Sequence, residues 1–145
     1  MKSFLNRLFA PASASALTDF ALLVLRAGLG IVMFAAHGLD KLSNYGEKAE
    51  GFPAVLGMSP AFALALAAFA EGICSLLLAL GLVSRFAALM LSVTMAVAFG
   101  IAHKFALTGP SSGEMAFIYL AGFVTVLIAG PGRFSIDAVL FRKKG

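Results

Sequence analysis

The chain has 145 residues, 61% apolar and 12% charged, with a formal net charge of +4 and a mean hydropathy of +0.98. That length makes one domain, and the balance excludes an ordinary water-soluble globule, which is about half apolar and about a quarter charged. The single cysteine, Cys74, excludes an intramolecular disulfide and CxxC redox chemistry.

From the N-terminus, KSFLNRLF carries Lys2 and Arg7 beside apolar side chains. It reads either as a short interfacial helix or as a disordered end, and APASASA after it as a flexible lead. This stretch is too short and too polar for the core of a cleaved signal, so the first apolar run is expected to stay as an anchor.

Four apolar runs follow. Phe20 to Ala36 is 17 residues interrupted only by Arg26, Ala61 to Val83 is 23 interrupted only by Glu71, and Phe86 to Ala102 and Met115 to Pro131 are 17 each without a charge. A bilayer crossing takes about 20 mainly apolar residues. With their flanks, the runs predict spans over 19–40, 60–83, 85–103 and 114–131, an all-α integral membrane four-helix bundle. Asp40 to Ser59 is the longest polar stretch and predicts a partly ordered cap, ending where Ser59 caps the second span with Pro60 at its first position. Leu82 to Arg85 is a tight turn that makes spans two and three antiparallel neighbours, and Thr108 to Gly113 is a loop. Gly130-Pro131-Gly132 stops the fourth span, and Ser135 opens a short interfacial helix over 135–143 with Asp137 in its first turn.

The cations sort by end. Lys2, Arg7, Arg85, Arg133, Arg142, Lys143 and Lys144 fall on one side and Lys41, Lys48 and Lys104 on the other, which predicts both termini in the cytoplasm. The basic balance is thereby explained as topology and contact with the lipid bilayer, and it requires no nucleic acid partner.

Two charges remain inside spans, where each costs about 2.5 to 3.5 kcal/mol on the insertion scale and needs a partner or a polar cavity. Glu71 adjoins the midpoint of its run, and Arg26 lies about 5 Å from the midpoint of 19–40, so antiparallel packing is expected to pair them. Arg26, Gly30, His37 and Lys41 share one helical stripe, and His103, Glu114, Asp40 and Lys104 cluster at its outer end. The pattern predicts a polar funnel floored by Arg26 and Glu71. One use for it is proton exchange or binding of a polar headgroup such as a quinone's, with Glu71, Arg26 and His37 as the reacting groups and Lys41, His103 and Glu114 as the ligand and proton path. The other is a clasp that fixes helix register. No HxxxH or ExxH spacing signals a metal site, and Ser75, one turn from Glu71, has no accompanying nucleophile motif.

Arg26-Ala27-Gly28-Leu29-Gly30, His37-Gly38 with Lys41-Leu42, Glu71-Gly72, Leu80-Gly81 with Ser84-Arg85, Glu114 with Tyr119-Leu120, and Gly130 through Asp137 occur in this order. Together they resemble the DoxX family of small four-helix membrane proteins. That family is similar to the DoxD subunit of a thiosulfate:quinone oxidoreductase, and some members are associated with redox homeostasis and oxidative-stress complexes. The resemblance implies a multi-pass protein of the bacterial inner membrane, either a quinone-linked redox component or a membrane accessory of an oxidoreductase or oxidative-stress complex. It also implies a structural motif of Arg85, Gly130, Pro131, Gly132, Ser135 and Asp137. Because the chain has no cysteine pair, a redox partner protein would supply any thiols. The rival expectations are a non-catalytic assembly or scaffold protein and a small-solute transporter, which four spans would support as a homo-oligomer.

Overall fold

The computed structural model describes residues 15–141. The segment of Lys2 and Arg7 and the cations Arg142, Lys143 and Lys144 lie outside the described residues. The described residues form helices and their connections, without strands. In chain order the helices are α1 (Ala16–Ser43), α2 (Tyr45–Lys48), α3 (Pro60–Leu80), α4 (Ser84–Ala102), α5 (Glu114–Ala129) and α6 (Ile136–Phe141).

Three of them, α1 with 28 residues, α3 with 21 and α4 with 19, are long and apolar enough to cross a membrane. The fourth long helix, α5, is also apolar but has 16 residues, about 24 Å at helical rise. It stops at Ala129 because Gly130 turns to a φ of +84°. The four long helices close a ring, α1 on α3, α3 on α4, α4 on α5 and α5 back on α1. Their inner faces bury Met33, Cys74, Leu78, Leu91 and Phe123, whereas Val24, Ile31, Val93 and Ile128 point outward without cover. Apolar side chains on the outside and self-satisfied helical backbone throughout are what a lipid solvent demands.

Local chemistry sets the helix ends. Thr18 N–H donates to the Ser15 hydroxyl at 3.2 Å, and Phe62 N–H donates to the Ser59 hydroxyl at 3.4 Å with Pro60 at the first position of α3. At its other end α3 closes through Gly81, whose φ of +75° lets Leu82 N–H reach back to the Leu77 carbonyl at 2.9 Å. No side chain at its own start caps α4. Its cap comes from 53 residues downstream, where the Asp137 carboxylate accepts from Val83 N–H at 2.7 Å and Ser84 N–H at 2.8 Å.

Three helices contain a wider π turn, at Phe34–Gly38, Phe69–Cys74 and Ala98–Ala102, and the first two pack against each other. The backbones of α1 and α3 nearly touch there. A Cβ on Gly38 would lie 2.2 Å from the Glu71 carbonyl oxygen, so only glycine permits this approach. The bundle therefore has a terminal end, with Ala16, Gly81–Ser84 and Gly130–Phe141, and a loop end, with residues 44–59 and 103–113.

Candidate functional site

At the terminal end, Arg26 is 1% exposed and spends its guanidinium on backbone carbonyls. Its Nε donates to Pro131 O at 3.2 Å, Nη1 to Leu78 O at 3.2 Å and to Ala79 O, and Nη2 to Phe134 O. Leu78 and Ala79 belong to the last turn of α3, whose carbonyls have no partner within the helix and carry the negative end of its dipole. Beside this clasp, buried Asp19 accepts from Arg133 through Nε at 2.6 Å and the backbone N–H at 3.0 Å. Arg85 Nη1 donates to Leu127 O at 3.0 Å near the end of α5, close to Gly130. Ser135 caps α6 by accepting from Ala138 N–H at 3.1 Å, and its hydroxyl donates to Gly132 O at 2.7 Å. Residues 130–137 thus form a strap that joins α1, α3, α4 and α5. Asp137 does more than sit in its own helix's first turn, because it supplies the cap that α4 lacks.

Glu71 has a different partner from the one expected. Lys41 Nζ lies 2.5 Å from Glu71 Oε2, with the two side chains 18% and 8% exposed. Arg26 is distant because the register of α1 against α3 sets Gly30 opposite Ser75 and Ala79, and Gly38 opposite Glu71 and Gly72. Arg26 is therefore separated from the level of Glu71 by roughly 18 Å of helix, twelve residues at 1.5 Å each. The expected Arg26–Glu71 pair assumed that the two spans share a midpoint. In the structure Gly30, at the centre of α1, faces Ser75 and Ala79 near the end of α3, so the midpoints do not coincide. The expected funnel floored by both charges is not formed; Glu71 pairs with Lys41 and not with Arg26.

His37 lies one turn before Lys41 on α1, and its ring meets the Tyr119 ring of α5 edge-on at 6.2 Å between centroids. Tyr119 stacks in turn on buried Phe123 at 5.7 Å. Among the described residues, neither the His37 ring nitrogens nor the Tyr119 hydroxyl has a hydrogen-bond partner. Tyr119 is the participant that charge-based sequence reasoning missed as a site residue; its only signal was its place in the family pattern. His103 and Glu114 are elsewhere, flanking the loop between α4 and α5. His103 Nδ1 is 3.0 Å from Ser111 O, and the Glu114 side chain is exposed. Neither bonds to Lys41, Glu71 or His37.

Above Lys41, at the loop end, a cavity of about 480 Å³ is lined by Asp40, Lys41, Glu47, Lys48 and the turn Gly51–Pro53. Lys48 forms an exposed ion pair with Asp40, whose other oxygen accepts from Asn44 Nδ2 at 2.8 Å. Among the described residues no group of three or more His, Cys, Asp or Glu side chains is arranged to hold a metal ion.

The chain matches the DoxX family over residues 21–104, a segment holding Arg26, His37, Lys41 and Glu71. The protein belongs to the DoxX family. This DoxX protein is also 34% identical over 122 residues to a Haemophilus influenzae protein described as uncharacterized, covering 77% of this chain and 84% of the relative. No solved structure matches it. The family match ends near the close of α4, so the strap that holds Arg26 lies beyond the matched segment of this DoxX chain.

Proposed function

We propose that this DoxX protein is a quinone-linked redox component of a bacterial inner membrane, with both termini in the cytoplasm and its site at the outward-facing loop end. The observation that carries this reading is the pair of unpartnered polar groups, His37, one helical turn before Lys41 of the Lys41–Glu71 ion pair, and Tyr119, whose ring meets that of His37. A quinone carbonyl needs hydrogen-bond donors, and the His37 ring, the Lys41 ammonium and the Tyr119 hydroxyl are donors, with Phe123 behind Tyr119 as an apolar wall. When bound there, a quinone would accept electrons and protons. Glu71 balances the charge of Lys41 and, with the His37 ring, offers sites for proton transfer to the bound group. The chain has one cysteine and no redox pair of its own, so electrons come from a partner protein. The excess of Lys and Arg that the sequence carries before the first span, between the second and third and after the fourth supports the orientation.

Protein purified from native membranes in mild detergent is expected to retain quinone, and Tyr119→Phe, which leaves the Lys41–Glu71 pair intact, to lose it at unchanged abundance. Absence of retained quinone in the wild type, or equal retention in the variant, would sink the reading.

The second reading is a non-catalytic assembly protein, favoured by how completely Arg26 is occupied by backbone carbonyls. It expects no quinone in the wild type and no functional loss on Tyr119→Phe, so quinone content measured beside abundance and function separates the two.

A further inference from the structure

Glu71 lies in the middle third of α3, yet the residue that holds it also lines the polar cavity at the loop end. Lys41 contacts Glu71 Oε2 at 2.5 Å on one side and forms part of the 480 Å³ cavity on the other. We infer that this cavity is the aqueous mouth of the Lys41–Glu71 site, so that protons and small water-soluble reagents reach Glu71 from the loop end, past Lys41, and not from the lipid. This goes beyond the proposed function, because it concerns the route to Glu71 whatever the site binds.

Three observations converge on it. The mouth is polar, with Asp40, Glu47 and Lys48 around Lys41. The lipid route is closed where α1 meets α3, because Gly38 brings the two backbones into contact and the Leu42 side chain covers Gly72. The inner face behind Glu71 is sealed by Cys74 and Leu78, both fully buried. The titratable or charged groups facing the pair are Asp40 and His37 on α1, Glu47 and Lys48 on α2, Cys74 on α3 and, through His37, Tyr119 on α5. The only charged residue of α4, Arg85, is at the terminal end.

The route is testable by carbodiimide coupling on the unmodified full-length protein in lipid nanodiscs, where both faces meet water. Activation of a carboxylate and attack by a neighbouring amine forms a C–N bond and breaks a C–O bond. The reagent leaves as its urea, and the protein becomes lighter by one water. The exposed Asp40–Lys48 pair at the mouth is an internal standard. A water-soluble cationic carbodiimide is expected to produce both the Asp40–Lys48 and the Lys41–Glu71 amides, located by peptide mass spectrometry. Gly51→Trp, at a position that lines the cavity and where an added Cβ meets nothing within 4 Å, is expected to lose the Lys41–Glu71 amide while keeping the standard. Coupling of Lys41–Glu71 only by hydrophobic dicyclohexylcarbodiimide would overturn the inference, as would coupling by neither reagent. The assay needs no quinone, so a protein that retains none still reports the route, and the two proposals fail separately.

Discussion

Lys41 and Glu71 are each tolerable in this setting because of the other. Removing one partner of a buried ion pair leaves an uncompensated charge and costs about 3 to 5 kcal/mol, whereas replacing both is often near neutral. Lys41→Met is therefore expected to lower thermal stability in detergent sharply, and Lys41→Met with Glu71→Gln to recover most of the loss. A double variant as unstable as the single would show that the pair is not the source of the effect. Glu71 was legible in the sequence as the one carboxylate in a 23-residue apolar run. Its partner was not, because charge matching by span midpoint ignores where each helix begins.

Elements are held by close approach and by borrowed caps. Gly38 and Gly28 lie ten residues apart on α1, but a Cβ on Gly38 would strike the Glu71 backbone while one on Gly28 meets nothing within 4 Å. Gly38→Ala is expected to force α1 from α3 at a cost of about 1 to 3 kcal/mol, and Gly28→Ala to be neutral or slightly stabilising through helix propensity. Melting temperatures of the two variants side by side check this. Asp137→Ala removes the only side-chain cap of α4 and is expected to cost about 0.5 to 2 kcal/mol. Faster hydrogen exchange at the Val83 and Ser84 amides, with the middle of α4 unchanged, is the local signature. The caps at Ser59 and Ser135 could be read from sequence because each cap lies within three residues of what it caps. The cap on α4 could not, since its residues are 53 and 54 positions apart.

Across the whole molecule, Arg26 ties α1 to the end of α3 and to the strap. Its planar fork reaches carbonyls in three directions, which a single ammonium cannot reproduce. Arg26→Lys is expected to leave at least one buried carbonyl unsatisfied, at about 1 to 3 kcal/mol each, and to reduce the protein recovered from membranes. Recovery and melting temperature equal to wild type would contradict the clasp. The molecule thus divides its charged interior between a structural terminal end, where Arg26, Asp19 and Asp137 satisfy backbone and cap helices, and a loop end, where Lys41, Glu71 and His37 are the candidates for chemistry.

By itself the sequence determined the membrane, the all-α class and the approximate helices, because run length, hydropathy and nearby caps are local quantities. It also marked Arg26 and Glu71 as the two charges in need of an explanation. Only the tertiary structure decided that they answer separate needs. Helix register depends on which glycines let backbones touch, Gly38 on Glu71 and Gly30 on Ser75, and on where α1 begins after its Ser15 cap. That register moved Glu71 from Arg26 to Lys41 and gave Arg26 to the carbonyls of α3 and the strap, because a side chain bonds with what lies at its own level.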